Sequence, residues 1–408
     1  MIKNKANDMT TMRAANTIML LKALYEENPI SRSQLSRLTN LSSSAVTSIV
    51  KDLINQKLVI EKSPVNISGV GRPGKPLVIN SKDWYIIAIH LSGELSLKIN
   101  VFNLLLEKKA DFNFKLANYE PATVIKVIIE NYHYLKESAV IKGSFIGLGI
   151  SLSGIVSSQE NKCYYSEIMG WEDVDLAELF ADQLDIPVIV ARDVNGLALS
   201  QFMNLKKTAE PENLAVVMIG RGIGLGMVIN GKIYSGNLGG AGEISHLLQL
   251  KTAYQGRCKL GQAGCISTLL KKEVISARLL DSISDQCKLS QTEIVELKNE
   301  PLLFLDSLFD EQELKKLLTE VRELVAELLK LITEIYAPEK LIISSNYGFG
   351  NKIVELIKLD YLNKFSLPDK FAAEIIFQEH YDTEWARGAA AVVLNNLLTD
   401  SYLLSRII

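Results

Sequence analysis

The chain is poor in the residues that define several protein classes. Its 408 residues include only four cysteines, three tryptophans and ten prolines. Four scattered cysteines do not make the disulfide framework of a small secreted protein, so we expect a reducing, cytoplasmic location. No apolar run approaches the roughly 18 residues that a membrane span needs, and the first residues lack a proper signal-peptide core. We therefore expect no membrane partner.

Negative charge is scarce in the first eighty residues. Residues 1–80 contain 11 lysines and arginines against 5 aspartates and glutamates, whereas the remainder contains 33 against 42. A basic module on an acidic body is typical of a protein that binds a polyanion such as DNA. A solvated basic surface without a partner is the alternative, and charge alone does not separate the two.

Apolar spacing and capping signals predict three helices in this basic module. A first helix is predicted over residues 14–25 and ends before Asn28-Pro29. Ser31 and Gln34 form a capping-box signal for a second helix, and Ser42 is a candidate N-cap for a third. A tight turn between the last two helices is typical of a helix-turn-helix, although an ordinary three-helix subdomain has the same spacing.

The third predicted helix has an apolar inward face and a small, polar outward face. The residues expected to be buried are Val46, Ile49, Val50 and Leu53. The outward residues are Ser43, Ser44, Thr47, Ser48 and Lys51. An outward face of this kind can enter a DNA major groove and form hydrogen bonds with bases and phosphates.

The stretch after the third helix reads as strand, turn and strand, which indicates a wing with the tip GVGRPGKP. Arg72 and Lys75 in this wing are predicted to contact a minor groove or phosphates. Arg32, at the start of the second helix, is assigned to the same DNA-binding surface.

A family resemblance follows from these segments. ISRSQLSRLTNLSSSAVTSIVKDLINQKLV and GRPGKPLVIN resemble the DNA-binding module of ROK family repressors of the xylose-operon and N-acetylglucosamine type. The resemblance covers nearly the whole chain. It implies an α/β fold in which a winged helix-turn-helix precedes a two-lobed, actin-like body. We expect the winged helix over residues 1–80 and the first lobe over 81–205. A returning helix is expected near 384–398, and the second lobe over 206–383.

The resemblance also implies that kinase chemistry has been lost. In the first phosphate turn, His90, Ser92 and Glu94 stand where the family has aspartate, glycine and threonine. A carboxylate there would repel phosphate. In a later nucleotide loop, residues 344–346 replace a glycine pair. We therefore expect no enzyme, with Asp193 at the catalytic-base position as a vestige.

The sugar side of the implied site is partly retained. The resemblance assigns effector-binding positions to Ser153, Gly154, Arg192, Asp193, Glu243, His246 and Ser267. Arg192 replaces an asparagine and Ser267 a glutamate, and both changes make the site more positive. We therefore predict an anionic ligand, such as a sugar phosphate or sugar acid. A vestigial pocket, closed by Arg192 pairing internally with Asp193 or Glu243, is the alternative.

The segment AGEISHLLQLKTAYQGRCKLGQAGCISTL resembles the zinc loop of the family, which has one histidine and three cysteines. His246, Cys258 and Cys265 fit that pattern, but Leu260 occupies the position of the missing cysteine. Structural zinc takes four ligands. No cofactor is therefore expected to be required, and the segment is either an incomplete zinc site or a loop that folds without metal.

Together these features predict a sequence-specific DNA-binding regulator that represses genes of carbohydrate metabolism. The expected partners are a double-stranded operator, a sugar or sugar-phosphate effector and further copies of the chain in a homodimer or homotetramer. A residual sugar kinase and a repressor controlled by a protein partner are the alternative functions.

Overall fold

The computed structural model describes residues 2–63, 75–138, 140–205, 211–220, 222–249, 256–258, 260–283, 290–307, 312–346 and 348–407. The chain divides into two compact units. The first unit contains Met1–Ala209 and Trp385–Ile408, and the second contains Glu210–Glu384. Among the described residues, no helix is both long and apolar enough to cross a lipid bilayer.

The described part of the chain alternates helices and strands. The α-helices are α1 (Ile2–Glu26), α2 (Arg32–Thr39), α3 (Ser43–Asn55), α4 (Pro121–Glu137), α5 (Leu176–Phe180), α6 (Asp193–Leu205), α7 (Ile266–Leu269), α8 (Lys272–Ile283), α9 (Gln291–Asn299), α10 (Pro301–Ser307), α11 (Gln312–Tyr336), α12 (Asn351–Lys364), α13 (Asp382–Thr399) and α14 (Ser401–Ser405). The strands are β1 (Val59–Glu61), β2 (Leu77–Ile79), β3 (Trp84–Leu91), β4 (Ser96–Asn103), β5 (Lys108–Lys115), β6 (Ser144–Leu152), β7 (Ile155–Ser157), β8 (Lys162–Ser166), β9 (Trp171–Asp175), β10 (Val188–Arg192), β11 (Leu214–Ile219), β12 (Ile223–Ile229), β13 (Lys232–Ile233), β14 (Lys340–Ser345) and β15 (Glu374–Glu379).

The first three helices and the β1–β2 hairpin form the predicted winged helix-turn-helix. The capping box of Ser31 and Gln34 begins α2, and Ser42 accepts a hydrogen bond from the Ala45 N–H at the start of α3. Asn40 ends α2 in the left-handed conformation, which turns the chain toward α3. Buried residues of α2 and α3 form the core of this module; they include Leu35, Val46, Ile49, Val50 and Leu53.

The main sheet of the first unit has the strand order β10-β6-β3-β4-β5. β6 is parallel to both β3 and β10, whereas β4 is antiparallel to its two neighbours. Helix α13 packs closely on β6 and on α6 because glycine lines both contacts. A Cβ at Gly149 would lie 2.3 Å from the Ala389 carbonyl oxygen, and one at Gly196 would lie 2.9 Å from the backbone of Gly388. Larger residues at these positions would push the helix away.

Two sets of contacts join the winged helix to the rest of the first unit. The indole N–H of Trp84, the first residue of β3, donates to the Gln56 carbonyl at the end of α3 over 2.8 Å. Asn80 Nδ2 donates to the Lys57 carbonyl, also over 2.8 Å. The terminal helix α14 contacts α1 and buries Leu403 and Leu404. The helix-turn-helix is therefore connected to β3 and to the last helix of the chain.

The second unit is built on a sheet of order β13-β12-β11-β14-β15. β11, β14 and β15 are parallel to one another, and β12 is antiparallel to β11. Helices α11 and α12 pack together beside it. The core is mainly aliphatic and includes Val217, Val325, Leu341, Ile343 and Ile357.

Candidate DNA-binding surface and ligand-site residues

The five polar residues predicted for DNA contact lie on one exposed face of α3. They are Ser43, Ser44, Thr47, Ser48 and Lys51. The opposite face is buried through Val46, Ile49, Val50 and Leu53. Thr47 Oγ1 donates to the Ser43 carbonyl over 2.7 Å, which leaves its methyl group and lone pairs at the surface. Such small side chains allow a helix to approach base edges closely.

Two predicted basic residues of this surface, Arg32 and Lys75, are paired with the same carboxylate. Arg32, at the start of α2, forms an ion pair with Glu61 of β1, and Lys75 Nζ lies 3.6 Å from the other Glu61 oxygen. Arg13 of α1, which sequence reasoning did not single out, pairs with Asp52 and donates to Ser48 Oγ over 3.3 Å. Arg72 lies outside the described residues, so its predicted contact stays a prediction.

The end of β3 carries a packed aromatic pair. The His90 imidazole stacks on the Trp385 indole with ring centroids 5.1 Å apart. His90 Nδ1 lies 3.2 Å from Ser151 Oγ, and Ser151 in turn donates to the Trp385 carbonyl over 3.2 Å. The turn that follows has little room, since a Cβ at Gly93 would lie 2.2 Å from the Ile168 side chain. The position at which the resemblance implies a metal-organising aspartate is thus filled by ring packing.

Several predicted effector residues meet at one edge of the first sheet. In the register of the parallel strands, Leu91 of β3 and Arg192 of β10 both pair with Leu152 of β6. Ser153 and Asp193 directly follow β6 and β10. Because the carboxyl ends of parallel strands meet at the same edge, these residues lie where α/β proteins commonly bind ligands.

Arg192 and Asp193 are buried polar residues at this edge, 4% and 8% exposed. Asp193 Oδ1 accepts a hydrogen bond from the Val194 N–H over 2.7 Å, at the start of α6. Asn195, two residues further, is 5% exposed, and its Oδ1 has no hydrogen-bond partner among the described residues. A buried acceptor without a partner costs free energy, which a polar ligand can recover. Sequence reasoning missed Asn195.

At Gly154, a predicted effector position, the backbone conformation and packing alone explain why the residue is glycine. Its φ of +129° is rare for other residues, and a Cβ would lie 2.1 Å from the Tyr165 carbonyl oxygen on β8. Close packing against β8 therefore requires glycine here. The half-buried Ser153 beside it keeps its predicted ligand role.

In the second unit, the nucleotide-loop positions Ser344 and Ser345 are buried and hydrogen-bonded, whereas Asn346 is exposed. Ser344 Oγ lies 3.1 Å from His380 Nδ1, and the His380 N–H donates to the Ser345 carbonyl over 2.8 Å. Burial lowers the pKa of His380 to about 4, an effect that the charge of Asp382 opposes. His380 is therefore neutral near pH 7, and the carboxyl ends of β14 and β15 are joined by these contacts.

The predicted metal ligands converge in the second unit. Ligand atoms of His246, Cys258 and Cys265 all lie within 4.8 Å of one another. His246 Nδ1 is 3.2 Å from Cys265 Sγ and 3.4 Å from the Ser267 hydroxyl, so Ser267 joins this cluster. Glu243, another predicted effector residue, is exposed.

This cluster fits zinc only in part. The pKa of the Cys258 thiol is lowered: desolvation acts in the opposite direction, but hydrogen bonds from the Gln262 and Leu260 backbone and from Cys265 outweigh it. A thiolate is the form that binds metal. However, Leu260 is 62% exposed and offers no ligand atom, and the described residues place three ligands together rather than four.

Comparison with known proteins identifies the family of the chain. Residues 93–396 match the ROK family, and residues 13–60 match a winged helix-turn-helix DNA-binding family. The chain belongs to the ROK family. This confirms the resemblance of the ROK body and of the N-terminal module, as well as the α/β fold class.

Two similar proteins of this family are regulators by name. The xylose repressor of Bacillus subtilis (strain 168) is 27% identical to this ROK protein, over 71% of this chain and 73% of the repressor. The DNA-binding transcriptional dual regulator NagC of Escherichia coli (strain K12) is 25% identical over 66% of each chain.

Solved structures show the same ROK fold. A ROK family transcriptional regulator, described as a homologue of the Escherichia coli MLC protein, aligns with a TM-score of 0.79 and 19% identity. The alignment covers 97% of this chain and 99% of that one. A ROK hexokinase from Thermus thermophilus aligns with a TM-score of 0.57 and 17% identity, over 75% of this chain and 97% of the hexokinase. The regulator therefore matches nearly all of this chain, while the hexokinase matches about three quarters of it.

Proposed function

We propose that this protein is a sequence-specific DNA-binding regulator that represses genes of carbohydrate metabolism. The observation that carries the proposal is the exposed polar face of α3, within a winged helix-turn-helix that precedes a ROK body. The names of the xylose repressor and of NagC support it. Acting on DNA in the cytoplasm is consistent with the scarcity of cysteine.

The proposed DNA complex follows from the geometry of the module. Helix α3 enters the major groove, where Ser44 and Thr47 contact base edges and Lys51 contacts a phosphate. The wing lies against the adjacent backbone. A homodimer or homotetramer places two such modules on the half-sites of a palindromic operator, because protein two-fold symmetry and operator symmetry correspond.

The proposed effector is a sugar-derived small molecule that carries an anionic group. Support comes from the edge of the first sheet, where the buried Arg192 is next in sequence to Asp193 and three residues before Asn195, whose buried Oδ1 has no hydrogen-bond partner among the described residues. A guanidinium matches phosphate or carboxylate in geometry, while Asp193 and Asn195 accept hydrogen bonds from hydroxyl groups. Glu243, His246 and Ser267, in the second unit, stay predicted effector contacts.

Strand β3 provides a route from the effector to the DNA-binding module. At its start, Trp84 holds the end of α3 through the Gln56 carbonyl. At its end, His90 contacts Trp385 and Ser151, beside the strands that precede the predicted ligand residues. Suppose that one conformation of this sheet edge is coupled to one position of the winged helix. A ligand that prefers that conformation then raises the population of that position.

Residual kinase activity is the function that the retained Asp193 would otherwise suggest. The test is ATP turnover by the purified chain with a panel of sugars, alongside binding of the same preparation to a random duplex DNA library. The proposal predicts DNA binding and no sugar-dependent ATP turnover. Sugar-dependent turnover, in a preparation that does not bind DNA, would replace the regulator by an enzyme.

A further inference from the structure

One carboxylate joins the two parts of the winged helix. Glu61, the last residue of β1, lies opposite Leu77 in the hairpin, and Ile30, just before α2, pairs with the same Leu77. This pairing brings the start of α2 against the base of the wing. Glu61 accepts from Arg32 on one side and lies 3.6 Å from Lys75 Nζ on the other.

The three charged side chains of Glu61, Arg32 and Lys75 pair with one another but stay partly exposed to solvent. The Glu61 side chain is 27% exposed, that of Arg32 32% and that of Lys75 63%. The pKa of Glu61 is lowered, first by the hydrogen bond from Arg32 and further by the charges of Arg32 and Lys75, and together these outweigh the desolvation that raises it. Glu61 is therefore a carboxylate at neutral pH, set between two cations that are predicted to contact DNA.

A second carboxylate of the module also pairs with a cation, here beside the exposed face of α3. Asp52 on α3 pairs with Arg13, and the same guanidinium donates to Ser48 on the exposed face. Residues 1–80 contain only five acidic residues, so two of the five pair with cations near the predicted DNA surface. Pairing of this kind reduces the charge that the surface offers to phosphates.

We propose that Glu61 limits the affinity of the protein for DNA of any sequence by competing with phosphates for Arg32 and Lys75. The inference rests on the proposed DNA-binding function. Contacts to phosphates supply most of the affinity for non-specific DNA, and each one needs a cation free to approach the backbone. Here both cations must leave Glu61 first, and its carboxylate then faces the phosphates. Weaker binding to non-specific DNA leaves more of a regulator free to find its operator, because non-specific sites vastly outnumber the operator.

The test measures binding of the full chain to a fluorescent duplex of random sequence by anisotropy, at several salt concentrations. Glu61→Gln keeps the size of the side chain and removes its charge. We expect binding about three- to tenfold tighter at fixed salt, and a salt dependence of log K steeper by about one to two. Glu27→Gln is the matched control, because it changes the net charge equally at an exposed position just after α1.

A double-mutant cycle assigns the effect to the two cations. In an Arg32→Gln/Lys75→Gln background, Glu61→Gln should change affinity no more than Glu27→Gln does. Wild type and Glu61→Gln that both fail to bind duplex DNA at low salt would overturn the proposed function itself. A wild type that binds, with Glu61→Gln no tighter than Glu27→Gln, would overturn the role of Glu61 alone. Lys75→Gln gives a second measure, since it should weaken binding more in Glu61→Gln than in the wild type.

Discussion

His90 and Trp385 form a stacked pair, with ring planes 15° apart, that joins strand β3 to helix α13. The two residues are far apart in the sequence, and Ser151 of β6 lies within hydrogen-bonding distance of both. Stacking at this point replaces the polar, metal-organising chemistry that a phosphate turn needs. The same pair fixes the end of β3, the strand whose other end holds the winged helix.

Removing the His90 ring should destabilise the first unit. We expect ATP to stabilise neither this variant nor the wild type. His90→Ala is expected to lower the free energy of unfolding by about 1–2 kcal/mol, through the lost stacking and the small cavity. His90→Asn keeps a hydrogen-bonding group toward Ser151 and should recover part of the loss. Chemical denaturation with and without ATP measures both effects. A stabilisation of the wild type by ATP would show that the nucleotide site is intact.

Local patterns predicted the helix-turn-helix correctly because its signals are short-range. The capping box at Ser31 and the N-cap at Ser42 are both present, and the four residues predicted to point inward from α3 are buried. The domain boundaries at residues 80, 205 and 383 stay predictions. The individual site roles stay predictions as well, because a residue's place on a surface does not by itself define what it binds.

Long-range partners could not be predicted from the sequence. Nothing near Arg32 indicates that Glu61 will face it, since the contact depends on how the hairpin meets α2. The stack of His90 on Trp385 depends in the same way on helix packing. Asn195 was missed because a buried acceptor without a partner is visible only when its surroundings are known.

The zinc loop should hold little metal in the wild type. Protein purified without added zinc is expected to contain well under one zinc per chain, because Leu260 supplies no fourth ligand. Leu260→Cys should raise the occupancy toward one, while Leu260→Ser, of similar size to cysteine, should not. Elemental analysis gives the numbers. Full occupancy in the wild type would require a ligand other than the three identified.

An anionic sugar should stabilise the protein more than its neutral counterpart does. Glucose 6-phosphate and glucose form a matched pair for thermal-shift titration, and a sugar acid extends the series. A ligand at 100 times its Kd adds about 2.7 kcal/mol to stability. Arg192→Asn, which restores the residue implied by the family resemblance, should abolish the preference for the anion, and Arg192→Lys should retain part of it. A shift with glucose alone would contradict the predicted ligand class.

Acid should destabilise the second unit through His380. Its pKa in the folded protein is about 4, below the ordinary value of about 6.5. Between these two values the unfolded chain binds a proton that the folded chain does not. The free energy of unfolding is therefore unaffected by protonation of His380 above about pH 6.5. It falls as the pH drops from there toward 4, by at most about 1.4 kcal/mol per pH unit.

His380→Gln removes this titration and should flatten the fall in stability over that range. His133→Gln, at an exposed histidine of α4, is the matched control for replacing a histidine by glutamine. The measurement is the denaturant midpoint of the wild type and both variants at about pH 7.5 and about pH 5, on either side of the ordinary histidine pKa. Equal losses between the two pH values in all three proteins would exclude His380 as the source.

Binding-site selection from a random duplex library tests the central claim most directly. The full-length chain should enrich a shared sequence with two related half-sites, as expected for a symmetric regulator that reads DNA through α3. Ser44→Ala with Thr47→Ala should relax the enriched sequence more than it lowers total affinity, because base contacts specify and phosphate contacts position. If the wild type enriches no sequence, or the double variant enriches the same one unchanged, α3 is not the DNA-reading element and the proposed function is contradicted.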